Sequence, residues 1–225
     1  MIVQIYTVQS PGEARDVADA GADHVGVTIS DRGLPGEVDL HRGREIVDSL
    51  RGIATSVALT VDTDPLAVRT FVAAVRPDIL HLCGDTTRLP PSAVSHLKAW
   101  LEDRSWGTAV MQAIPIAGPE AVGEARRFAR HVDWLILDSV SDHVEGIGAA
   151  GTTHDWSISR AIVEESRVPV ILAGGLGPDN VADAVARVRP AGVDSLTRTN
   201  RARPGGGFDK DIDAVRRFAS EARRA

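Results

Sequence analysis

The chain carries one cysteine, Cys83, among 225 residues. It can form no disulfide within itself and no multi-cysteine metal site. It has two lysines, Lys98 and Lys210. The first falls within a predicted helix and the second at the start of the last one, so neither ends a predicted strand. That argues against a Schiff-base mechanism, which needs an amine desolvated at the reacting centre. No run of about 18 apolar residues occurs, so no membrane-spanning helix is expected. The opening MIVQIYTVQS has no basic segment ahead of a long apolar one and reads as a first strand rather than an export signal. With the lone cysteine, this points to the cytoplasm. The net charge of −6 argues against nucleic acid or an anionic membrane surface as the main partner. Neither a Walker loop nor a glycine-rich first turn of the dinucleotide-binding kind is present, so nicotinamide and ATP chemistry have no support in the sequence.

What remains is an ordinary globular composition, 43% hydrophobic and 25% charged, arranged as strand then helix eight times over. Predicted strands are Ile2–Val8, Asp23–Ile29, Ile53–Val61, Asp78–Leu82, Thr108–Ile114, Asp133–Leu137, Val168–Ala173 and Gly192–Leu196. Predicted helices are Gly12–Ala20, Leu40–Leu50, Pro65–Val75, Pro91–Leu101, Pro119–Arg130, Ser157–Glu165, Pro178–Val188 and Asp211–Arg224. Eight such units in this length predict an α/β fold, a single-domain (β/α)8 TIM barrel spanning residues 1–225. A doubly wound open sheet is the alternative, but it usually has fewer strands, and no linker divides the chain.

In a barrel, function gathers at the C-terminal ends of the strands. The richest signal is VPVILAGGLGPDNV, Val168–Val181. A β-branched strand there runs into Gly174-Gly175, and Pro178 is placed to open a helix with Asp179 in its first turn. Bare backbone N–H groups beside a helix N-terminus make an oxyanion site, most often for phosphate. Asp138 follows the buried run Trp134–Leu137 and is a candidate acid or base. His81 alternates with Leu80 and Leu82 and points into the barrel or its mouth, as a core or a catalytic histidine. Cys83 reads more readily as a small buried hydrophobe than as a nucleophile. Arg32 is suited to a substrate carboxylate or phosphate, or to solvent, and Asp62 to a turn before Pro65. Strand 8 delivers Thr197-Arg198. His143 and Glu145, in the long loop after strand 6, could join His81 and Asp138 around a metal. Their spacing is not diagnostic, and no metal is expected. The loop Val140–Thr153 has the length and glycine content of a lid. Together these residues suit acid–base chemistry on a small phosphorylated molecule.

The same segments resemble the phosphoribosylanthranilate isomerases of tryptophan biosynthesis over nearly the whole chain. AGADHVGVTIS (Ala20–Ser30) is similar to the family's second strand, and Asp31-Arg32 to its Ser-Pro-Arg. ILHLCGD (Ile79–Asp85) is similar to Leu-Gln-Leu-His-Gly-Asp, and WLILDS (Trp134–Ser139) to Leu-Leu-Leu-Asp-Ser. GAAGTTHDW (Gly148–Trp156) is similar to Gly-Gly-(Ser/Thr)-Gly-x-x-Phe-Asp-Trp, and FDKD (Phe208–Asp211) to Gly-x-Lys-Asp. ILAGGLGPDNV (Ile171–Val181) is the strongest match. The resemblance implies a cofactor-free Amadori rearrangement of an aminoaldose phosphate to an aminoketose phosphate. It implies Asp138 as general acid on the ribose ring oxygen, Arg32 on the anthranilate carboxylate, and Gly174-Gly175 on the phosphate. It leaves monomer and homodimer both open.

Three positions depart from the family. Tyr6 stands where the family's cysteine acts as base on the C2′ proton, and a phenol with a pKa near ~10 yields little phenolate at neutral pH. Arg198 replaces the glycine of the strand-8 phosphate turn, beside Thr197. Cys83 takes the place of the strand-4 histidine, and His81 that of a glutamine. The reading drawn from these departures is a sugar-phosphate isomerase with Asp138 as acid and His81 or Tyr6 as replacement base, acting on a small anion other than phosphoribosylanthranilate. The alternatives are a genuine phosphoribosylanthranilate isomerase with a substituted base, and a non-catalytic barrel binding a ligand or partner. An open mouth at Asp138 favours an enzyme; one plugged by Tyr6 and Arg198 favours a binding role.

Overall fold

A computed structural model describes residues 1–139 and 153–225. Eight parallel strands close into a barrel in chain order: β1 (Ile2–Ile5), β2 (His24–Thr28), β3 (Thr55–Thr60), β4 (Ile79–Leu82), β5 (Ala109–Ile116), β6 (Trp134–Ser139), β7 (Val170–Leu172) and β8 (Gly192–Ser195). Closure is made by β1 on β8, with Gln4 beside Asp194 and Ile5 beside Ser195. Among the described residues, eight α-helices surround it: α1 (Pro11–Asp19), α2 (Leu40–Ser49), α3 (Pro65–Val75), α4 (Pro91–Glu102), α5 (Glu120–Phe128), α6 (Trp156–Glu165), α7 (Val181–Val188) and α8 (Ile212–Arg224). The predicted TIM barrel is therefore the observed fold.

Side chains on a strand alternate between faces, and here the alternation separates two cores. Val3, Ile5, Leu80, Leu82, Leu135, Leu137, Leu172 and Val193 belong to the layer between sheet and helices. Tyr6, Ile79, Cys83, Met111, Ile136, Ile171 and Ala173 fill the barrel interior. Both layers are buried, so strands such as WLILD read as continuous apolar runs. Helix starts are set by side-chain caps: Ser10, Asp39, Asp64, Asp155 and Asp211 each accept from a first-turn backbone N–H.

Three local differences from the sequence-based expectation bear on the site. The first strand ends at Ile5, not Val8, so Tyr6 and Thr7 leave the ladder at its mouth end. Helix α7 begins at Val181, not Pro178. Asn180 is the reason: its side-chain oxygen accepts from Gly177 N–H at 2.8 Å and its amide donates to Gly175 O at 3.1 Å. Residues 178–180 form a turn that holds the glycine loop instead of the first turn of a helix. The third difference is an antiparallel hairpin, β9 (Asn200–Ala202) with β10 (Phe208–Lys210), ahead of α8. Lys210 thus lies on a strand, not at the start of the last helix. Its ammonium turns inward to donate to Tyr6 O, to Asn200 Oδ1 at 2.6 Å and to Leu196 O at 3.5 Å. It ties the ends of β1 and β8, and it is not among the residues that line the cavity described below.

Candidate active site

The mouth of the barrel holds a small cavity of about 280 Å³, its open entrance included. Among the described residues, its lining is Asp138, Gly174, Gly175, Leu176, Asp194, Leu196 and Thr197. Asp138, Gly174, Gly175 and Thr197 are brought together as the sequence predicts. Asp138 is the inward residue that follows Ile136 on β6. Burial pushes its carboxyl up to about 7, against the opposing pull of the Ser139 N–H, which donates to Oδ1 at 2.7 Å. Near neutral pH it can hold or release a proton, as a general acid must.

Gly174 and Gly175 have φ of +87° and +61°, the left-handed region that a side chain makes costly. A Cβ at Gly174 would lie 2.5 Å from Ser139 Oγ and 3.3 Å from Asp138 Oδ1. The loop therefore approaches the acid without any side chain between. Ser195 Oγ donates to Leu176 O at 2.7 Å and fixes the loop to β8. Gly174→Ala is expected to cut turnover at least 100-fold, through backbone strain and displacement of Asp138. Steady-state kinetics on the folded variant would check this, and turnover within fivefold of wild type would count against it.

Arg198 is exposed, within the single turn Thr197–Thr199. Its aliphatic stem runs across Gly177, where an added Cβ would lie 2.7 Å from Arg198 Cβ and 2.8 Å from Cδ. It sits at the rim and does not line the cavity. Arg32 forms an ion pair with Asp62 at the end of β3, so Asp62 does more than shape a turn. The carboxylate of Glu37 accepts from the backbone N–H groups of Arg32, Gly33 and Leu34 at 3.2, 2.8 and 2.9 Å, and so shapes the loop that carries Arg32.

Tyr6 and His81 are found together but are not among the residues that line the cavity. The Tyr6 hydroxyl meets His81 Nδ1 at 3.0 Å, the rings stand edge to face, and only 3% and 4% of the two residues is exposed. Burial lowers His81 to about 3, and burial with the Asp194 and Cys83 charges raises Tyr6 well above the ordinary phenol. Histidine is therefore neutral, and its Nδ1 pairs with the phenol oxygen. Neither group lines the cavity, and neither is poised to take up a proton from a substrate there. Cys83 is buried in the same interior cluster.

Two residues escaped the sequence reading. Asp194, on β8, reaches the cavity from across the glycine loop. It is hidden in the sequence because it falls in a short strand, GVDS, with no motif of its own. Its alternation with the outward Val193 was the one available signal. Burial first, and then the charge of Asp138, raise its carboxyl to about 8. His154 meets Ser139 Oγ at 3.2 Å through Nδ1 and Ser159 Oγ at 2.7 Å through Nε2, and so joins the end of β6 to α6. Burial lowers it to about 4.

His143, Glu145 and all of the Val140–Thr153 loop except Thr153 lie outside the described residues. Among the described residues, no group of three or more His, Cys, Asp or Glu side chains is placed to hold a metal. No described helix is long and apolar enough to cross a membrane.

The family described as N-(5'phosphoribosyl)anthranilate (PRA) isomerase matches residues 3–196. A Haloferax volcanii protein named N-(5'-phosphoribosyl)anthranilate isomerase is 36% identical over 225 residues, covering 99% of this chain and 93% of that one. A protein of the same name from Natronomonas pharaonis is 33% identical, covering 98% and 97%. Among solved structures, phosphoribosyl anthranilate isomerase from Thermococcus kodakaraensis superposes with a TM-score of 0.77 at 26% identity, over 100% of this chain and 99% of that one.

Proposed function

We propose, since this chain belongs to the N-(5'-phosphoribosyl)anthranilate isomerase family, that it isomerises N-(5'-phosphoribosyl)anthranilate to the aminoketose phosphate without a cofactor. The departures at Tyr6 and Arg198 suggested a different sugar phosphate. Whole-length relatives that bear the isomerase name at 33–36% identity favour the genuine activity instead. The observation that carries the reading is Asp138: a carboxyl titrating near 7, in a cavity, beside a glycine loop fit for an oxyanion.

Asp138 donates its proton to the ribose ring oxygen as the ring opens. The backbone of Gly174-Gly175 and the Thr197 turn hold the phosphate. The Arg198 guanidinium adds positive charge at the rim, in place of the close backbone approach that a glycine would allow. Arg32 receives the anthranilate carboxylate, which exchanges with Asp62 for the guanidinium. Such an exchange replaces one carboxylate by another at the guanidinium and leaves the partly exposed Asp62 to solvent.

The direct test is loss of substrate fluorescence on freshly generated N-(5'-phosphoribosyl)anthranilate, with Asp138→Asn as control. Turnover that vanishes in the control supports the isomerase; no turnover above the control removes it. For Arg198→Ala we expect KM to rise about tenfold with kcat within threefold, because a rim charge binds ground and transition states alike. The rise should shrink as salt is added. A kcat loss at unchanged KM would contradict the rim role.

A further inference from the structure

We propose that Asp194 is the general base of this reaction and that Asp138 and Asp194 act as a carboxyl pair sharing one proton. The inference rests on the isomerase reading above. Strands β6 and β8 flank β7, so the two carboxyls enter the same cavity from either side of the glycine loop. Asp194 is 7% exposed, and among the described residues its Oδ1 has no hydrogen-bond partner. A buried carboxylate oxygen left unpaired costs stability unless a ligand uses it. The group at the family's base position offers no alternative, because the Tyr6 phenol is committed to His81 outside the cavity.

The groups facing Asp194 are Asp138 from β6, Gln4 from β1, Tyr6 just past the end of β1, and Lys210 from β10. Two buried carboxyls this close resist double ionisation, so one proton is held between them over the neutral range. Lys210 favours the charge on Asp194, and no cation does the same for Asp138. The singly protonated pair has two forms that interconvert by proton transfer, and the reactive one carries its proton on Asp138 and its charge on Asp194.

The Asp138 carboxyl protonates the ring oxygen as the C1′–O bond breaks, and the nitrogen lone pair forms C1′=N. The Asp194 carboxylate takes the C2′ proton. The C2′–H electrons form C1′=C2′, and the C=N electrons return to nitrogen. The enol then loses its hydroxyl proton while C1′ gains one, giving the ketone. The pair resets as the proton passes from Asp194 back to Asp138. No electrons leave the substrate, and no oxidant or reductant is needed.

The test is kinetics of the full-length protein on freshly generated N-(5'-phosphoribosyl)anthranilate. Asp194→Asn is expected to lower kcat at least 100-fold with KM within threefold, and to remove the acidic limb of the kcat/KM profile. It is also expected to raise Tm at pH 9 by about 3 °C or more, since the buried charge is gone. Asp194→Ala should regain at least tenfold activity with added formate. An Asp194→Asn enzyme within threefold of wild type would overturn the base and leave the isomerase standing. A wild type without turnover would overturn both. An Asp194→Asn protein less stable than wild type, with Asp194→Ala unrescued by formate, would mark a structural carboxyl and also overturn the proposal.

Discussion

Asp138→Asn is expected to reduce kcat about 1000-fold and to leave the fold intact. Asparagine matches the carboxyl in shape and keeps an oxygen for the Ser139 N–H, but it has no proton to give to a leaving ring oxygen. The loss should therefore fall on kcat, with KM little changed. The pH dependence follows from the direction of the shift. Burial raises Asp138 to about 7, so the acid form dominates below that pH and is lost above it. Wild-type kcat should decline as pH rises through neutrality, and residual Asp138→Asn activity should lack that decline. The shift also bears on stability. A carboxyl whose pKa rises on folding holds more protons folded than unfolded between about 4 and 7, so its contribution to stability falls as pH rises across that window. Asp138→Asn should accordingly unfold no more readily than wild type at pH 8. Kinetics alongside thermal melts at pH 6 and pH 8 would check both statements. A variant that loses activity only because it unfolds would sink the acid assignment.

Gly26→Ala should cost about 3 kcal/mol of stability, at the upper end of overpacking substitutions. Gly26 lies on β2 facing the Tyr6 ring, and an added Cβ would come within 2.5 Å of three ring carbons. The ring cannot swing away cheaply. It is 3% exposed, its hydroxyl is held by His81, and its backbone carbonyl accepts from Lys210. Release has to come from the ring itself. In a Tyr6→Cys background the same Gly26→Ala change should cost less than 1 kcal/mol, because the space is then free. Denaturant melts of the four proteins give the coupling directly. Equal costs in both backgrounds would show that Tyr6 does not fill the interior as described.

The barrel was legible in this sequence because its signal is local and repeated. Each strand sits between helix layer and interior and so reads as an apolar run, and every helix but α7 opens at a proline or a capping serine or aspartate. The Asp138 and Gly174-Gly175 positions were legible for the same reason: a carboxylate and two glycines that interrupt apolar strands mark strand ends. The start of α7 was not, because Pro178 carries a helix-start signal and the Asn180 side chain overrides it by bonding to Gly177 and Gly175. The β9–β10 hairpin was missed since RARPGGGFDK shows no alternation long enough to mark strands.

By itself, then, the sequence determined the eightfold alternation, the family and the place of Asp138 at a strand end, all of which depend on residue types at local spacing. Only tertiary structure decided the rest. His81 and Tyr6 are 75 residues apart, and no local pattern says that one silences the other. Lys210 reaches Tyr6 across 204 residues, which brings a cation to the strand ends where the sequence suggested only a helix start. Asp194 becomes a partner of Asp138 only when β6, β7 and β8 stand side by side. Burial and proximity set proton affinities, and both are properties of the closed barrel, not of any segment within it.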